Sequence, residues 1–289
     1  MSEVLKKLGI IGNPVEHSFS PKMHNYISKK MGLEYFYDAM CVEECDFVST
    51  LRSLEEKNYA GVNVTSPFKF LAYDTVDFLS EKAKVFGSVN TCLFKDGKIF
   101  GYNTDADGLY MSLLKNGAQV IDKDILFVGA GGATKPAVVY FSQLGAKSIS
   151  IINRTEEKAV MIADYVKNLN SFNVEIGIKK EHYDLVINTT TIGMTPNIDK
   201  SPIDDLYFID GDTFVYDMIY NPEKTLFLEK AEQKGSKTAN GLGMLIYQGI
   251  IAYELFTGVK LPENIYDDII TNVFNKWLHR RKFIWKTLF

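Results

Sequence analysis

Two short stretches of the chain carry side chains whose types and spacing suit proton transfer. "NVTSPFK", residues 63–69, ends in Lys69, and "GYNTDADG", residues 101–108, carries Asp105 directly after an Asn-Thr pair. A lysine facing a carboxylate can give or take a proton at an oxygen that gains or loses charge, provided burial or the charged partner tunes it. A third stretch, "FVGAGGAT", residues 127–134, sets Gly129, Gly131 and Gly132 between an apolar run and a helical one. There a phosphate can approach backbone N–H groups at a helix N-terminus. The three together read as a hydride-transfer enzyme that protonates or deprotonates an alcohol. Each also has a plainer reading. Lys69 alone is a solvated charge, Asp105 alone a helix N-cap, and the glycines an ordinary strand-to-helix turn. The sixth position of the general fingerprint, normally Gly or Ala, is Thr134.

Other polar residues gather around these stretches. Ser18 and Ser20 flank Phe19, and two hydroxyls at that spacing can converge on one carboxylate or cap the following helix. His17 has no triad partner in the sequence and reads as a loop donor. Asn63 and Asn90 stand at strand ends, where an amide binds a substrate hydroxyl or satisfies a turn. Tyr220 closes "YDMIY", and Gln248 lies in the helix after "NGLGM". The strand after the glycine turn ends in Asn153, Arg154 and Thr155, with no acid at its tip to hold ribose hydroxyls. Arg154 can instead grip a 2′-phosphate with its planar fork. Lys158 and Lys135 add positive charge, while Glu156 and Glu157 reduce it.

Positioning such groups requires strands and helices in alternation. "KLGIIGN" predicts a strand closed by a turn, Ser20-Pro21 a helix with Ser20 as N-cap, "YFYDAMCV" and "GVNVT" two further strands, and Pro67 the start of a helix carrying Lys69. "NTCLFKDGKIFGYN" predicts a hairpin turning at Asp96-Gly97. This alternation implies a largely parallel sheet covered by helices. From about Asp124 the strands "DILFVGA", "SISIINR", "YDLVINTT" and "FVYDMIY" alternate with helices, the pattern of a doubly wound nucleotide-binding domain. The fold class is therefore α/β with two domains. Residues 1–104, completed by the C-terminal helices over 241–289, form a substrate domain, and residues 105–240 a Rossmann-type cofactor domain. The site is expected in the cleft between them, at the carboxyl ends of strands.

The bulk numbers narrow the partners. At 289 residues the chain is long enough for two modest domains, and with 46% hydrophobic and 24% charged residues it has an ordinary globular balance. A formal charge of −4 argues against a nucleic-acid partner. No apolar run reaches the length of a membrane span, and the N-terminal apolar stretch is too short for a signal peptide. The three cysteines, Cys41, Cys45 and Cys92, form no metal pattern with histidines and read as reduced, buried thiols of a cytoplasmic protein. No metal site is expected. The basic part of the tail "HRRKFIWKTLF" reads as favourable charge at a helix C-terminus, and its last residues as packing.

In combination and order these motifs closely resemble the shikimate dehydrogenase family, which also includes quinate/shikimate dehydrogenases, over nearly the whole chain from "GNPVEHSFSP" to "NGLGMLIYQ". The resemblance implies NADP-dependent, reversible reduction of 3-dehydroshikimate to shikimate in aromatic amino-acid biosynthesis. It implies that Ser18 and Ser20 bind the substrate carboxylate, that Lys69 is catalytic with Asp105 as its partner, and that Asn63, Thr65, Asn90, Tyr220 and Gln248 bind substrate. For the cofactor it implies Gly129, Ala130, Gly131, Gly132 and Ala133 in the "GAGGA" turn, then Asn153, Arg154, Thr155 and Lys158. Thr190, Met218, Gly241 and Met244 complete that set. The partners it implies are a small molecule and NADP, in a monomer or a homodimer. Three positions depart from the family's usual residues: Ala106 replaces a glycine, and Lys135 and Lys158 replace arginines, which points to a less strict NADP preference. Two alternatives stay open: an NAD-preferring quinate/shikimate dehydrogenase, and a non-catalytic nucleotide sensor, which would need neither Lys69 nor Asp105.

Overall fold

Strands and helices follow one another along most of the chain because apolar runs of strand length alternate with amphipathic segments, many of them closed by Gly or Asn. The structure, a computed structural model, describes residues 5–275. The basic-aromatic tail and the end of the last expected helix lie outside the described residues. The chain divides into two compact units, one running to Thr104 and resuming at Gln248, the other spanning Asp105–Tyr247.

The first unit opens with strand β1 (Lys6–Gly12), helix α1 (Ser20–Met31) and strand β2 (Tyr35–Cys41). A 3-10 turn then leads into α2 (Phe47–Ser53) and β3 (Tyr59–Val64). Next come α3 (Lys69–Thr75), β4 (Phe78–Leu79), α4 (Glu81–Phe86), β5 (Thr91–Lys95) and β6 (Lys98–Tyr102). The sheet order is β2-β1-β3-β5-β6-β4. It is more mixed than strand-helix alternation predicts. β1 pairs parallel with β2 and β3, but β5 runs antiparallel to both β3 and β6. The cause is the hairpin: Asp96 and Gly97 both take positive φ, the two-residue turn that joins antiparallel neighbours. Ile11, Phe47, Leu51, Val62, Val64 and Phe68 form one core of this unit.

Two helix starts differ from expectation. Ser20 is the first residue of α1 rather than its cap; Phe19 precedes it in helical conformation, and the Ser18 hydroxyl accepts the Ser20 N–H at 3.2 Å. α3 begins at Lys69, not Pro67, because the Thr65 carbonyl takes the Phe68 N–H and closes a turn around the cis Ser66–Pro67 peptide. The cysteines also differ: Cys92 is buried, but Cys41 and Cys45 are exposed.

The second unit runs α5 (Asp105–Lys115), β7 (Asp124–Val128), α6 (Thr134–Leu144), β8 (Ser148–Ile152), α7 (Glu156–Asn170) and β9 (Val174–Ile176). It continues through β10 (Leu185–Asn188), β11 (Phe214–Asp217), α8 (Leu226–Gln233) and β12 (Lys237–Asn240). Its sheet, β12-β11-β10-β7-β8-β9, is parallel throughout. Counted from β7 this is the order 3-2-1-4-5-6 of dinucleotide-binding sheets, with β7 and its glycine turn at the reversal point. The strands β9 and β12 carry too few apolar residues to stand out in the sequence.

Helix α9 (Leu242–Thr257) starts in the second unit and ends in the first, followed by α10 (Ile265–Ile269) and a π-helical turn (Ile270–Phe274) where one continuous helix is expected. An ion pair joins Lys30 of α1 to Asp268 of α10. Phe256 of α9 lies on Gly61 in β3 so closely that a Cβ at 61 would overlap the ring and come within 2.8 Å of the Cys92 carbonyl. Neither neighbour is easily displaced, since one is a buried ring and the other a strand backbone. Gly61→Ala should therefore lower the unfolding free energy by about 1–3 kcal/mol, read as a drop in the urea midpoint at unchanged slope.

Candidate active site

The first unit collects its polar residues at one edge of its sheet. β1, β3 and β6 run in one direction and β5 in the opposite one, so the loops leaving β1, β3 and β6 and the entry to β5 share that edge. Ser18 and Ser20 follow β1, Thr65 and Lys69 follow β3, Asn90 precedes β5, and Asn103 and Thr104 follow β6. This is the edge at which α/β sheets bind ligands.

The two amides there are buried and heavily bonded. Asn63 Oδ1 accepts the Tyr37 hydroxyl at 2.8 Å, and its Nδ2 donates to the Asn90 carbonyl at 3.3 Å and to Thr91 Oγ1 at 3.1 Å. Thr91 Oγ1 donates onward to Asn90 Oδ1 at 2.8 Å, which also accepts the Thr104 N–H at 2.9 Å. Asn90 Nδ2 reaches Thr104 Oγ1 at 3.0 Å. One relay thus runs from β2 to the residue before Asp105. It orients both amides, because a flipped amide would set donor against donor.

Lys69 is half-buried at the first position of α3, and its carbonyl accepts the Val89 N–H at 3.0 Å. The helix dipole disfavours a cation there, so helix stability does not explain the lysine. Thr65 packs so tightly on Gly12 that a Cβ at 12 would overlap its methyl group. His17 is exposed in the loop after β1. In α9, a Cβ on Gly249 would overlap Met23 and stand 3.4 Å from His24 Nε2, so the residue next to Gln248 is seated on α1.

In the second unit, the glycine turn is shaped by three side chains. Asn153 Oδ1 accepts the Ala130 N–H at 3.0 Å, and Thr134 Oγ1 accepts that of Gly131 at 3.1 Å. The Thr189 hydroxyl meets Thr134 Oγ1 at 2.8 Å. Thr134, out of place in the general fingerprint, is fully buried and locks the turn. The N–H groups of Gly132 and Ala133 have no protein acceptor among the described residues. Gly129 needs its φ of +112°, whereas a Cβ on Gly131 or Gly132 would meet nothing within 4 Å. The open ground over those two glycines, beside two available donors at a helix start, fits a cofactor phosphate. Arg154, Thr155 and Lys158 stand exposed at the end of β8 and the start of α7. Lys135 points elsewhere: its ammonium lies 3.6 Å from the centre of the Tyr165 ring, and burial lowers its pKa.

Asp105 is the first residue of α5 and buried. Ala106 follows in helical conformation, where a Cβ causes no strain. Burial foremost, then the Asp107 carboxylate, push the Tyr140 phenol up to about 12, so Asp107 is turned to α6.

Sequence reasoning passed over the residue that ties the remaining cofactor candidates together. Asp217, fully buried at the end of β11, accepts the Asn188 amide at 3.0 Å, the Ile219 N–H at 3.0 Å and the Thr225 hydroxyl at 2.6 Å. Asn188 Oδ1 in turn accepts both the N–H and the hydroxyl of Thr190. Gly241 sits where a Cβ would overlap the Met218 carbonyl, and the Met244 N–H donates to the Tyr216 hydroxyl at 3.3 Å. Thr190, Met218, Gly241 and Met244 are thus held around the ends of β10, β11 and β12, while Tyr220 lies two residues beyond Met218. The signal was present: a polar residue closing each of the apolar strands "LVIN" and "FVYD". Tyr37, at one end of the first unit's relay, had no comparable signal, whereas Thr104, at the other, lies in the "GYNTDADG" stretch. Among the described residues no group of three or more His, Cys, Asp or Glu is placed to hold a metal, and no helix is long and apolar enough to cross a membrane.

A parallel sheet with a glycine turn at its reversal point, in one chain with a unit that lines a sheet edge with hydroxyls, amides and a lysine, defines a nicotinamide-dependent dehydrogenase. Sequence profiles agree with that class and narrow it. The shikimate dehydrogenase substrate binding domain matches residues 10–92, the shikimate/quinate 5-dehydrogenase domain residues 112–218, and the shikimate 5'-dehydrogenase C-terminal domain residues 241–265. The shikimate dehydrogenase (NADP(+)) of Methanococcus aeolicus is 40% identical over 273 residues, 93% of this chain and 98% of that one. A crystal structure of shikimate dehydrogenase in complex with NADP+ superposes with a TM-score of 0.87 at 38% identity, covering 92% of this chain and 95% of that one. The shikimate 5-dehydrogenase of Listeria monocytogenes, in complex with shikimate and NAD, gives 0.84 at 30% identity, covering 92% and 96%. The chain belongs to the shikimate dehydrogenase family.

The Asp217 network yields a prediction. Burial outweighs its three hydrogen bonds and raises the carboxyl from 3.8 to about 6. Because the folded state binds this proton more tightly than the unfolded chain, the resulting stabilisation is complete below the unfolded value and is lost as pH rises through about 6. The difference in unfolding free energy between wild type and Asp217→Asn should shift against wild type by roughly 2 kcal/mol between about pH 4 and pH 7. Denaturant titrations at the two pH values measure it, and a pH-independent difference would contradict the assignment.

Proposed function

We propose that this chain catalyses the NADP-dependent, reversible reduction of 3-dehydroshikimate to shikimate in the pathway to aromatic amino acids. The observation that carries this reading is the single sheet edge at which Ser18, Ser20, Asn63, Thr65, Lys69 and Asn90 are gathered, with both amides held in one orientation. Such an edge suits a small polyhydroxylated acid. Ser18 and Ser20 bind its carboxylate, and Asn63, Thr65, Asn90, Asp105, Tyr220 and Gln248 bind its hydroxyls.

The reduced cofactor, NADPH, would supply the hydride for the substrate carbonyl carbon and be left as NADP+. Lys69 gives the proton to the carbonyl oxygen and stabilises the charge that develops there, and Asp105 orients Lys69. The turn from Gly129 to Ala133 takes the pyrophosphate on its backbone donors. Arg154 reads the 2′-phosphate, with Asn153, Thr155 and Lys158 beside it. Thr190, Met218, Gly241 and Met244 complete the set of cofactor residues. We place the enzyme in the cytoplasm, as a monomer or a homodimer, with no nucleic-acid or membrane partner.

The acid-base assignment separates two neighbouring acids. Lys69→Ala and Asp105→Asn should each lower turnover strongly, the former by at least about 100-fold, with the KM for NADPH little changed. Asp107→Asn should keep most activity, because Asp107 is turned to Tyr140. Assays of all three at saturating substrates decide it; near-normal turnover in Lys69→Ala would sink the mechanism.

The cofactor assignment rests on Arg154. Arg154→Ala should raise the KM for NADP by about tenfold or more while that for NAD changes little, because the lost contact is charge-assisted and specific to the extra phosphate. Equal weakening toward both cofactors would show that Arg154 does not read it.

A further inference from the structure

We infer that Tyr37 is a positioning residue for the substrate: its hydroxyl fixes the Asn63 amide so that Asn63 meets the substrate only as an acceptor. The inference rests on the reading of Asn63 as a substrate ligand. Tyr37 belongs to the face of β2, carries no motif, and is 1% exposed. Three features keep its phenol from turning away. Its backbone is clamped by the Asn25 side chain, which donates to the Tyr37 carbonyl at 2.7 Å and accepts the Tyr37 N–H at 2.9 Å. Its ring is stacked on His24 at 4.2 Å with only 3° between the planes. His24 is backed in turn by the Tyr253 ring at 5.7 Å.

The chemistry of this stack is fixed as well. His24 is fully buried, neither of its ring nitrogens has a hydrogen-bond partner among the described residues, and burial pulls its pKa down to about 3. It is therefore an uncharged plate at any working pH, and its use is to hold the phenol flat. Burial drives the Tyr37 phenol well above its ordinary value, with the Ser20 hydroxyl close by partly offsetting this. The hydroxyl thus stays protonated and can donate. Its hydrogen goes to Asn63 Oδ1 at 2.8 Å. Both hydrogens of Asn63 Nδ2 are already directed to the Asn90 carbonyl and Thr91 Oγ1. The amide then has one capacity left, the second lone pair of Oδ1. A ligand group meeting it has to be a donor, such as a hydroxyl; a carbonyl or ether oxygen would meet an oxygen and be rejected.

The test is Tyr37→Phe, which keeps the ring and its stack and removes one oxygen. The KM for shikimate should rise roughly three- to tenfold, the scale of one neutral hydrogen bond, while kcat and the KM for NADP stay within about twofold. In an Asn63→Ala background, which should itself raise the KM for shikimate, Y37F should add nothing. An unchanged KM for shikimate in Y37F, or an effect that simply adds to that of N63A, would overturn the inference. So would a parallel fall in kcat, cofactor affinity and melting temperature, which would make the phenol a structural residue only. If instead N63A leaves the KM for shikimate untouched, it is the reading of Asn63 as a substrate ligand that fails.

Discussion

The amides of Asn63 and Asn90 are almost fully buried, and each polar atom left unpaired in such a place costs about 1–3 kcal/mol. That constraint dictates much of the first unit. It requires a donor on β2, which Tyr37 supplies, and an acceptor at the start of β5, which Thr91 supplies. It also requires the backbone after β6 to return to Asn90, which Thr104 does through its N–H and its hydroxyl. Strand order follows from the same need. Only with β5 inserted antiparallel between β3 and β6 do Asn63, Asn90 and Thr104 come together at one edge.

The second unit solves a related problem with charge. Asp217 is a carboxylate at the end of a buried strand, and it is tolerated because donors from β10, from the loop after β11 and from the cap of α8 converge on it. Removing any one leaves the charge less compensated, so the ends of β10 and β11 are held in register by more than the sheet ladder. The loops beyond those strand ends, which carry Thr190 and Met218, inherit that order.

Much of this was legible in the chain itself. The apolar runs, the Asp96-Gly97 turn and the helix over Glu156–Asn170 could be read because local preference and tertiary packing agree there. The candidate residues of the "NVTSPFK", "GAGGA" and "NRT" stretches were legible because chemistry concentrates in loops with unusual composition. What escaped has a common physical cause. Tyr37 is one aromatic residue among many in a strand, and nothing local distinguishes a phenol that packs from one that donates. Thr134 looked like a defect in a glycine fingerprint, yet its hydroxyl does the work of a cap, a role visible only when Gly131 is near it. β9 and β12 are edge strands whose existence depends on the neighbour they pair with rather than on their own composition. The mixed first sheet could not be inferred from alternation, because alternation does not encode the direction in which a hairpin inserts.

The side chains that close the glycine turn have a thermodynamic consequence. A loop of small residues that ordered only around its ligand would subtract the entropy of that ordering from the affinity. Here the turn is braced from within, by Asn153 on one side and by the Thr134–Thr189 pair on the other. Preorganisation of this kind leaves more of the phosphate's hydrogen-bonding energy to appear as affinity. It also means that a substitution at Thr134, fully buried beneath the turn, would act on binding through the disorder it restores.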